Sequence, residues 1–339
     1  MVLSGTAPAL AFPIRDAGLE ARLRARMEDV ETALEGAVVS EAAFVTDAAR
    51  HLLHAGGKRF RPLLVLLAAE SGDAGADGVV TAACVVELTH LGSLYHDDVM
   101  DEAVLRRGGE SANARWDNSV AILTGDFLFA KSSELTAELG ADAVRVQAQT
   151  FSRLVEGQIL ETLGPGDDED ALEHYLRVVA GKTASLIATS ARYGARFGGA
   201  SLDVEEALTA YGEKIGSAFQ LSDDILDIAS GSEESGKTPG TDLREGVPTL
   251  PVLLAQRMSQ GSADPADARL LELLQTDLTD DQRHAEVLDL LRKHPAMEEA
   301  RAYVLQRATE ARILLEVLPE GPVRDALDAF AEVVATRTR

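Results

Sequence analysis

Apolar residues recur every three or four positions along nearly the whole chain, as in LEARLRARMEDVETAL from Leu19 and EEARAYVLQRATEARILLEVL from Glu298 to Leu318. On a helix turning about 100° per residue that spacing gathers them on one face, whereas a half-buried strand would alternate. No convincing alternating run occurs, so the pattern predicts an all-α protein. It is interrupted at HAGGKRFRP (54–62), SGDAGADG (71–78), RRGGES (106–111), LGPGDDED (163–170), GSEESGKTPGTDLREGVPTLP (231–251) and SQGSADPADA (259–268), all rich in Gly, Pro, Ser or Asp. The stretch 231–251 is longer than helix connections usually are, which makes it a candidate lid or binding loop. With no fixed repeat and no Ser/Gly-rich linker, one helical domain over 19–339 is expected, preceded by a poorly ordered terminus over 1–18.

Composition narrows the function. The 339 residues are 46% hydrophobic, enough for a sizeable core, and carry a formal charge of -24. That charge repels a phosphate backbone and argues against nucleic acid as a partner, so any anionic substrate needs a locally basic or metal-filled site. The lone cysteine, Cys84, lies in the apolar run VVTAACVVEL and reads as a small buried hydrophobe in a reducing cytosol, hence a cytoplasmic protein. No apolar run approaches the roughly 18 residues needed to cross a bilayer. The opening MVLSGTAPALAFPIRDAG has no basic region ahead of a continuous apolar core, so neither a signal peptide nor a membrane helix is expected.

Residues 95–108, YHDDVMDEAVLRRG, crowd Asp97, Asp98, Asp101 and Glu102 together ahead of Arg106 and Arg107. On a helix Asp97 and Asp101 lie one above the other, with Asp98 beside them. A like-charge pair at this spacing costs an isolated helix about 0.2–0.5 kcal/mol, so the cluster calls for full solvation or a cation. One such cluster is as readily a solvated acidic face. The pattern repeats downstream, however: FQLSDDILDIAS puts Asp223, Asp224 and Asp227 at the same offsets, with Gln220 on the same face. Apolar neighbours such as Leu94, Val99, Phe219 and Ile225 make full solvation doubtful for both. All-carboxylate clusters suit hard ions, Mg²⁺ in particular, held together with substrate phosphates. Two half-sites facing each other across a cavity, joined by Mg²⁺ and a diphosphate, are therefore expected.

Arg106 and Arg107 fall where Gly108 and Gly109 mark a helix end, and guanidinium groups hold phosphate oxygens bidentately. GGKRFRP adds Lys58, Arg59 and Arg61 beside two glycines that let a ligand approach the backbone, a second candidate anion site.

Together GGKRFRP, HDDVMDEAVLRRG, GDFLFA, KTASL, FQLSDDILD and GKTPGTDLREGVPTLP, in this order, resemble the trans-isoprenyl diphosphate (polyprenyl) synthases. The resemblance implies an all-α isoprenoid synthase fold of antiparallel helices around a central cavity, a homodimer, and Mg²⁺. It implies that Asp97, Asp98 and Asp101 with Asp223, Asp224 and Asp227 are the catalytic acidic motifs, Asp97, Asp101 and Asp223 being the metal ligands. It places isopentenyl diphosphate on Gly57, Lys58, Arg61, His90 and Arg107, and the allylic diphosphate on Arg106, Lys182, Thr183, Gln220 and Lys237. Head-to-tail condensation of the two is the implied reaction, with a peripheral membrane contact for product release.

Two features qualify that reading. Where the family commonly reads REGKxTLP this chain has REGVPTLP, with Val247 and Pro248, so a phosphate-contacting cation is missing from the loop. Residues four and five before the first aspartate, which in the family often floor the growing chain, are here Ser93 and Gly92. Both are small, so the tail is expected to run past them toward Thr89, Leu88 and Val85 and to reach a long-chain product. A geranylgeranyl or farnesyl diphosphate synthase is the alternative. A terpene cyclase has no need of GGKRFRP, a non-catalytic subunit typically loses acidic motifs that are intact here, and a helical scaffold with solvated acidic faces is the remaining reading.

Overall fold

The computed structural model describes residues 10–229 and 239–338. The chain runs through α1 (Ala17–Ala37), α2 (Ala43–His54), α3 (Phe60–Ala69) and α4 (Val79–Met100) into a short hairpin, β1 (Leu105–Arg106) antiparallel to β2 (Gly109–Glu110). It continues through α5 (Ala112–Arg115), α6 (Asn118–Glu138), α7 (Ala141–Leu163), α8 (Ala171–Val179), a π-helical turn (Ala180–Ala184), α9 (Ser185–Phe197) and α10 (Leu202–Ala229). Then follow α11 (Thr241–Arg244), α12 (Leu250–Ser259), α13 (Pro265–Leu273), α14 (Asp281–Lys293), α15 (Ala296–Leu314), a 3₁₀ turn (Leu315–Val317) and α16 (Pro322–Thr336). The all-α expectation holds. Part of the long loop expected over 231–251 is helical, as α11 and the start of α12, and residues 230–238 lie outside the described ones.

The acidic composition has a local use. Asp16, Asp117, Asp170, Asp264 and Asp280 each sit just before a helix and accept a hydrogen bond from a backbone N–H of its first turn. Those N–H groups have no partner within the helix, and the positive end of the dipole favours a carboxylate there.

Contacts divide the chain into two compact units. The first takes residues up to Ser152, Leu186–Gly212 and Leu314–Phe330. Its α3 is apolar all round and buried from Pro62 to Ala69, as such helices must be. Gly194 of α9 lets the two backbones touch, since a Cβ there would lie 2.2 Å from the Val65 carbonyl oxygen. α4 lies along α6. Residues 1–9 lie outside the description, but Phe12 is 3% exposed and its ring centroid is 4.7 Å from that of Phe330, so packing fastens the chain ahead of α1.

The second unit takes Arg153–Ser185, Glu213–Ile313 and Ala331–Arg339. Here α12 contacts α8, α13 and α14. Lys214 of α10 reaches Glu310 of α15 at 2.6 Å, and Arg292 of α14 donates to the Ile228 carbonyl at 2.7 Å. These bonds hold the C-terminal half of α10, which carries the second acidic motif.

Candidate active site

GGKRFRP forms the turn from α2 into α3, in the first unit. Gly56 and Gly57 have φ of 86° and 132°, and Arg59, just ahead of α3, is also left-handed at φ 45°. A non-glycine residue pays about 1–2 kcal/mol for that conformation. Arg59 is held in it by Glu31 at 2.7 Å, buried Glu87 at 3.0 Å and the Leu53 carbonyl at 2.7 Å. Charge-assisted bonds of this kind contribute about 1.5–3 kcal/mol each, enough to offset the strain. Arg59 is thus an internal brace rather than a free cation.

Arg107 arrives from the hairpin. Its own φ of 54° and the 79° of Gly108 make the tight left-handed turn that two-residue hairpins favour. This corrects the expected setting of Arg106 and Arg107: α4 stops at Met100, and the arginines sit on β1 and the turn instead of near a helix end. A Cβ on Gly57 would lie 2.8 Å from the Arg107 guanidinium carbon, so only glycine leaves room for it. Arg107 donates to the carbonyls of Leu52, at 3.2 Å, and Gly56. Arg61 has a buried Nε with no partner, and burial, then repulsion by Arg107, takes its guanidinium down to about 10. His90 is pushed well below its ordinary value by burial and then by Arg61, Arg107, Arg59 and Arg106, so its ring is neutral at pH 7. Gly57, Arg61, His90, Arg106 and Arg107 are brought together, and exposed Lys58 stands on the same turn. In a chain of charge -24 this is a local concentration of positive charge.

The first acidic motif closes α4, with Asp101 as its C-cap. Asp98 is 0% exposed and accepts from Arg106 Nε at 2.5 Å, while its Oδ2 is buried without a partner. Burial raises its pKa although Arg106 opposes the shift. Asp98 therefore aims Arg106, and Asp97 and Asp101 are the more accessible carboxylates.

In the second unit the π-helical turn presents Lys182 and Thr183. Such insertions are common at functional sites. Gly157 of α7 makes room for the turn: a Cβ there would lie 2.4 Å from the Lys182 nitrogen. Lys182 pairs with Glu161, and Thr183 donates to Gln220 Oε1 at 3.1 Å. Gln220 donates in turn to Asp224 at 3.0 Å, and Tyr175 donates its hydroxyl to the same carboxylate. Burial raises Asp224 to about 6 against both bonds. Asp227 accepts from the backbone N–H groups of Thr241 at 3.2 Å and Asp242 at 3.3 Å, receiving the start of α11. Asp223, with a side chain 46% exposed, pairs with Arg337 at 2.9 Å. Lys237 lies outside the described residues. Val247 donates its N–H to the Asp242 carbonyl at 2.9 Å and brings no charge to the loop.

Among the described residues no three His, Cys, Asp or Glu side chains come together as a ready-made metal cluster. The carboxylates of each motif, taken by itself, are of the kind that suits a hard divalent cation. In the first unit Asp98 is buried on Arg106 and Asp97 and Asp101 are less buried; in the second Asp224 is buried on Tyr175 and Gln220, and Asp223, paired with Arg337, is half-exposed. Mg²⁺ is characteristically held by one or two carboxylates, with waters and substrate phosphates completing the shell.

A family profile described as polyprenyl synthetase matches residues 42–291. The chain belongs to the polyprenyl synthetase family. It is 47% identical over 323 residues to a nonaprenyl diphosphate synthase of Mycobacterium tuberculosis, covering 95% of each chain. A crystal structure of geranylgeranyl pyrophosphate synthase from Corynebacterium glutamicum, complexed with calcium and isoprenyl diphosphate, superposes with a TM-score of 0.86 at 45% identity, over 96% of this chain and 99% of that one. A decaprenyl diphosphate synthase from Rhodobacter capsulatus gives 0.86 at 35% identity, over 95% and 99%. The fold is the all-α isoprenoid synthase fold, and the protein is a chain-elongating prenyltransferase.

Several residues of this polyprenyl synthetase were not singled out in the sequence: Glu87, Tyr175, Arg337 and Phe129. Glu87 left a signal, a lone carboxylate in the apolar run CVVELTH, and Phe129 lies within the motif GDFLFA; Tyr175 and Arg337 left none. Phe129 of α6 bears on product length. A Cβ on Gly92 would lie 2.9 Å from its ring, which also packs on Phe151 at 4.6 Å between centroids. The space beside Gly92 is thus occupied by an aromatic from the neighbouring helix. One turn earlier on α4, Thr89 meets Ser132 at 2.8 Å and accepts from Gln147 at 2.6 Å, a buried polar knot.

Proposed function

We propose that this synthase condenses isopentenyl diphosphate head to tail with an allylic diphosphate and gives a long-chain all-trans polyprenyl diphosphate. The observation that carries the reading is the arginine-lined site around His90, where the turn before α3, helix α4 and the hairpin meet and which needs no metal to hold an anion. A cyclase working on one diphosphate has no use for it.

In this reading Gly57, Lys58, Arg61, His90 and Arg107 bind isopentenyl diphosphate. Neutral His90 offers an N–H to phosphate without adding charge to four arginines. Arg106, held by Asp98, and Lys182, Thr183 and Gln220 bind the allylic diphosphate together with Lys237. Lys182 exchanges Glu161 for phosphate when substrate enters. Asp97, Asp101 and Asp223 hold Mg²⁺, which when bound neutralises the departing diphosphate. Asp98, Asp224 and Asp227 orient Arg106, Gln220 and the start of α11, and no side chain is assigned as general base.

The small Gly92 and Ser93 and the nonaprenyl synthase relative support the long-chain product. Phe129 against Gly92, with the likeness to a geranylgeranyl pyrophosphate synthase, favours a shorter product as the second reading. We further propose a cytoplasmic homodimer built of one synthase domain over 19–339, with a peripheral membrane contact for product release. The family match running through 42–291 supports the single domain, and α6 leaves Ile122 and Leu123 (66% exposed) open to a subunit partner. Among the described residues no helix is long and apolar enough to cross a membrane.

The test is an assay with radiolabelled isopentenyl diphosphate and an allylic starter, with chain-length analysis of the product. Mg²⁺-dependent elongation past twenty carbons is expected, stopping on removal of metal with EDTA. A product that ends at geranylgeranyl length supports the second reading, and undiminished turnover in EDTA removes the metal role.

A further inference from the structure

Arg337, just after α16, lies on the second acidic motif. Beyond α16, Arg337 donates from Nε to Ser222 Oγ at 2.6 Å, from Nη2 to the Phe219 carbonyl at 2.5 Å, and pairs through Nη1 with Asp223 at 2.9 Å. Its guanidinium also covers the Phe219 ring, 4.2 Å from the centroid. The neighbouring residue is fixed as well: Thr338 is 5% exposed and its carbonyl accepts from Arg301 at 2.9 Å. One arginine thus reads three residues within a single turn of α10. An arginine just past a helix with no structural task would be solvated, and the side chain of this one is 21% exposed.

A guanidinium and a divalent cation compete for the same carboxylate lone pairs, and each repels the other. We propose that Arg337 is a positioning residue for the prenyl-transfer reaction: it holds the Asp223 carboxylate while no metal is bound and sets how readily that carboxylate takes its cation. The inference rests on the proposed role of Asp223 as a metal ligand. The arginine keeps an exposed aspartate in one rotamer and screens its charge from Asp224 and Asp227, and binding of the cation exchanges an ion pair for a metal bond. The segment that follows α16 at Arg337 is thereby coupled to loading of the site.

The probe is Mn²⁺ in the presence of saturating inorganic diphosphate, with free Mn²⁺ read by electron paramagnetic resonance on the full chain. Arg337→Gln, which keeps hydrogen-bonding capacity and loses the charge, is expected to bind Mn²⁺ about threefold to tenfold tighter than wild type. Arg337→Lys keeps the charge and loses the fork, so its affinity should fall between the two. Asp223→Asn should weaken binding, and adding Arg337→Gln to it should change nothing further. Unchanged or weaker binding in Arg337→Gln, while Asp223→Asn still weakens it, overturns the role of Arg337 and leaves the metal reading standing. Unchanged binding in Asp223→Asn overturns both. A merely structural role for Arg337 would lower the thermal midpoint without moving the affinity.

Discussion

His90 shows how much a single residue can report of this site. Its imidazole is buried among Arg61, Arg107, Arg59 and Arg106, so the folded protein resists protonating it. The unfolded chain does not, and takes a proton near pH 6.5. At pH 7.5 both states are neutral and nothing is lost. Below 6.5 the unfolded state binds the proton that the folded state refuses, so stability falls with pH, by at most about 1.4 kcal/mol per unit for this one group. In the absence of substrate, wild type should lose stability to urea faster than His90→Gln between pH 7.5 and 5.5; parallel curves would place His90 away from the arginines. The arginines themselves differ. Arg61 has a buried Nε without a partner, whereas Lys58 is exposed. Arg61→Ala should therefore raise the KM for isopentenyl diphosphate by about 1.5–3 kcal/mol and Lys58→Ala by less, with the allylic KM little changed in both.

At the scale of the element, legibility in the sequence followed range. The helices were legible because their period repeats every turn, and the two acidic motifs because their offsets repeat within one helix. The hairpin was not: two-residue strands hold no period, and the left-handed φ of Arg107 is enforced by the turn geometry rather than by residue type. Nor were Tyr175 on Asp224 or Arg337 on Asp223 legible, since the bonds join residues 49 and 114 positions apart (224 − 175 and 337 − 223) that share no local pattern. The π-helical turn is a similar case, spelled by the family's Lys182–Thr183 pair but made possible by a glycine on α7. Gly157→Ala would force a Cβ to 2.4 Å from the Lys182 backbone nitrogen, which must move the turn. We expect a loss of about 1–3 kcal/mol in stability and a higher KM for the allylic substrate, with that for isopentenyl diphosphate unchanged. Denaturant midpoints and separate substrate titrations check both parts; equal effects on the two substrates would mean that the turn does not serve the allylic diphosphate.

For the molecule as a whole the open quantity is product length, which depends on how far an apolar chain can extend beside α4. Gly92 and Ser93 leave the α4 side open, yet the Phe129 ring fills the space a side chain at Gly92 would take. A tail reaching past them must displace that ring, which packs on Phe151 at 4.6 Å between centroids. One helical turn rises about 5.4 Å, close to the reach of one isoprene unit, so the next obstacle is met about one addition later. It is the polar knot of Thr89, Ser132 and Gln147, which a hydrocarbon does not displace without leaving buried hydrogen-bonding groups unpaired, so a long tail must run beside it rather than through it. Phe129→Ala should thus speed the later additions or lengthen the longest product, because it removes the first obstacle and touches no phosphate contact. Gly92→Phe should stop elongation at farnesyl to geranylgeranyl length with the first condensation largely retained, at a cost in stability from the clash with Phe129. The product ladder of each variant, separated by chain length, decides the matter. If Phe129→Ala leaves both the ladder and its rates as in wild type, and Gly92→Phe folds and still makes the wild-type product, the tail does not pass this level of α4, and the long-chain reading fails.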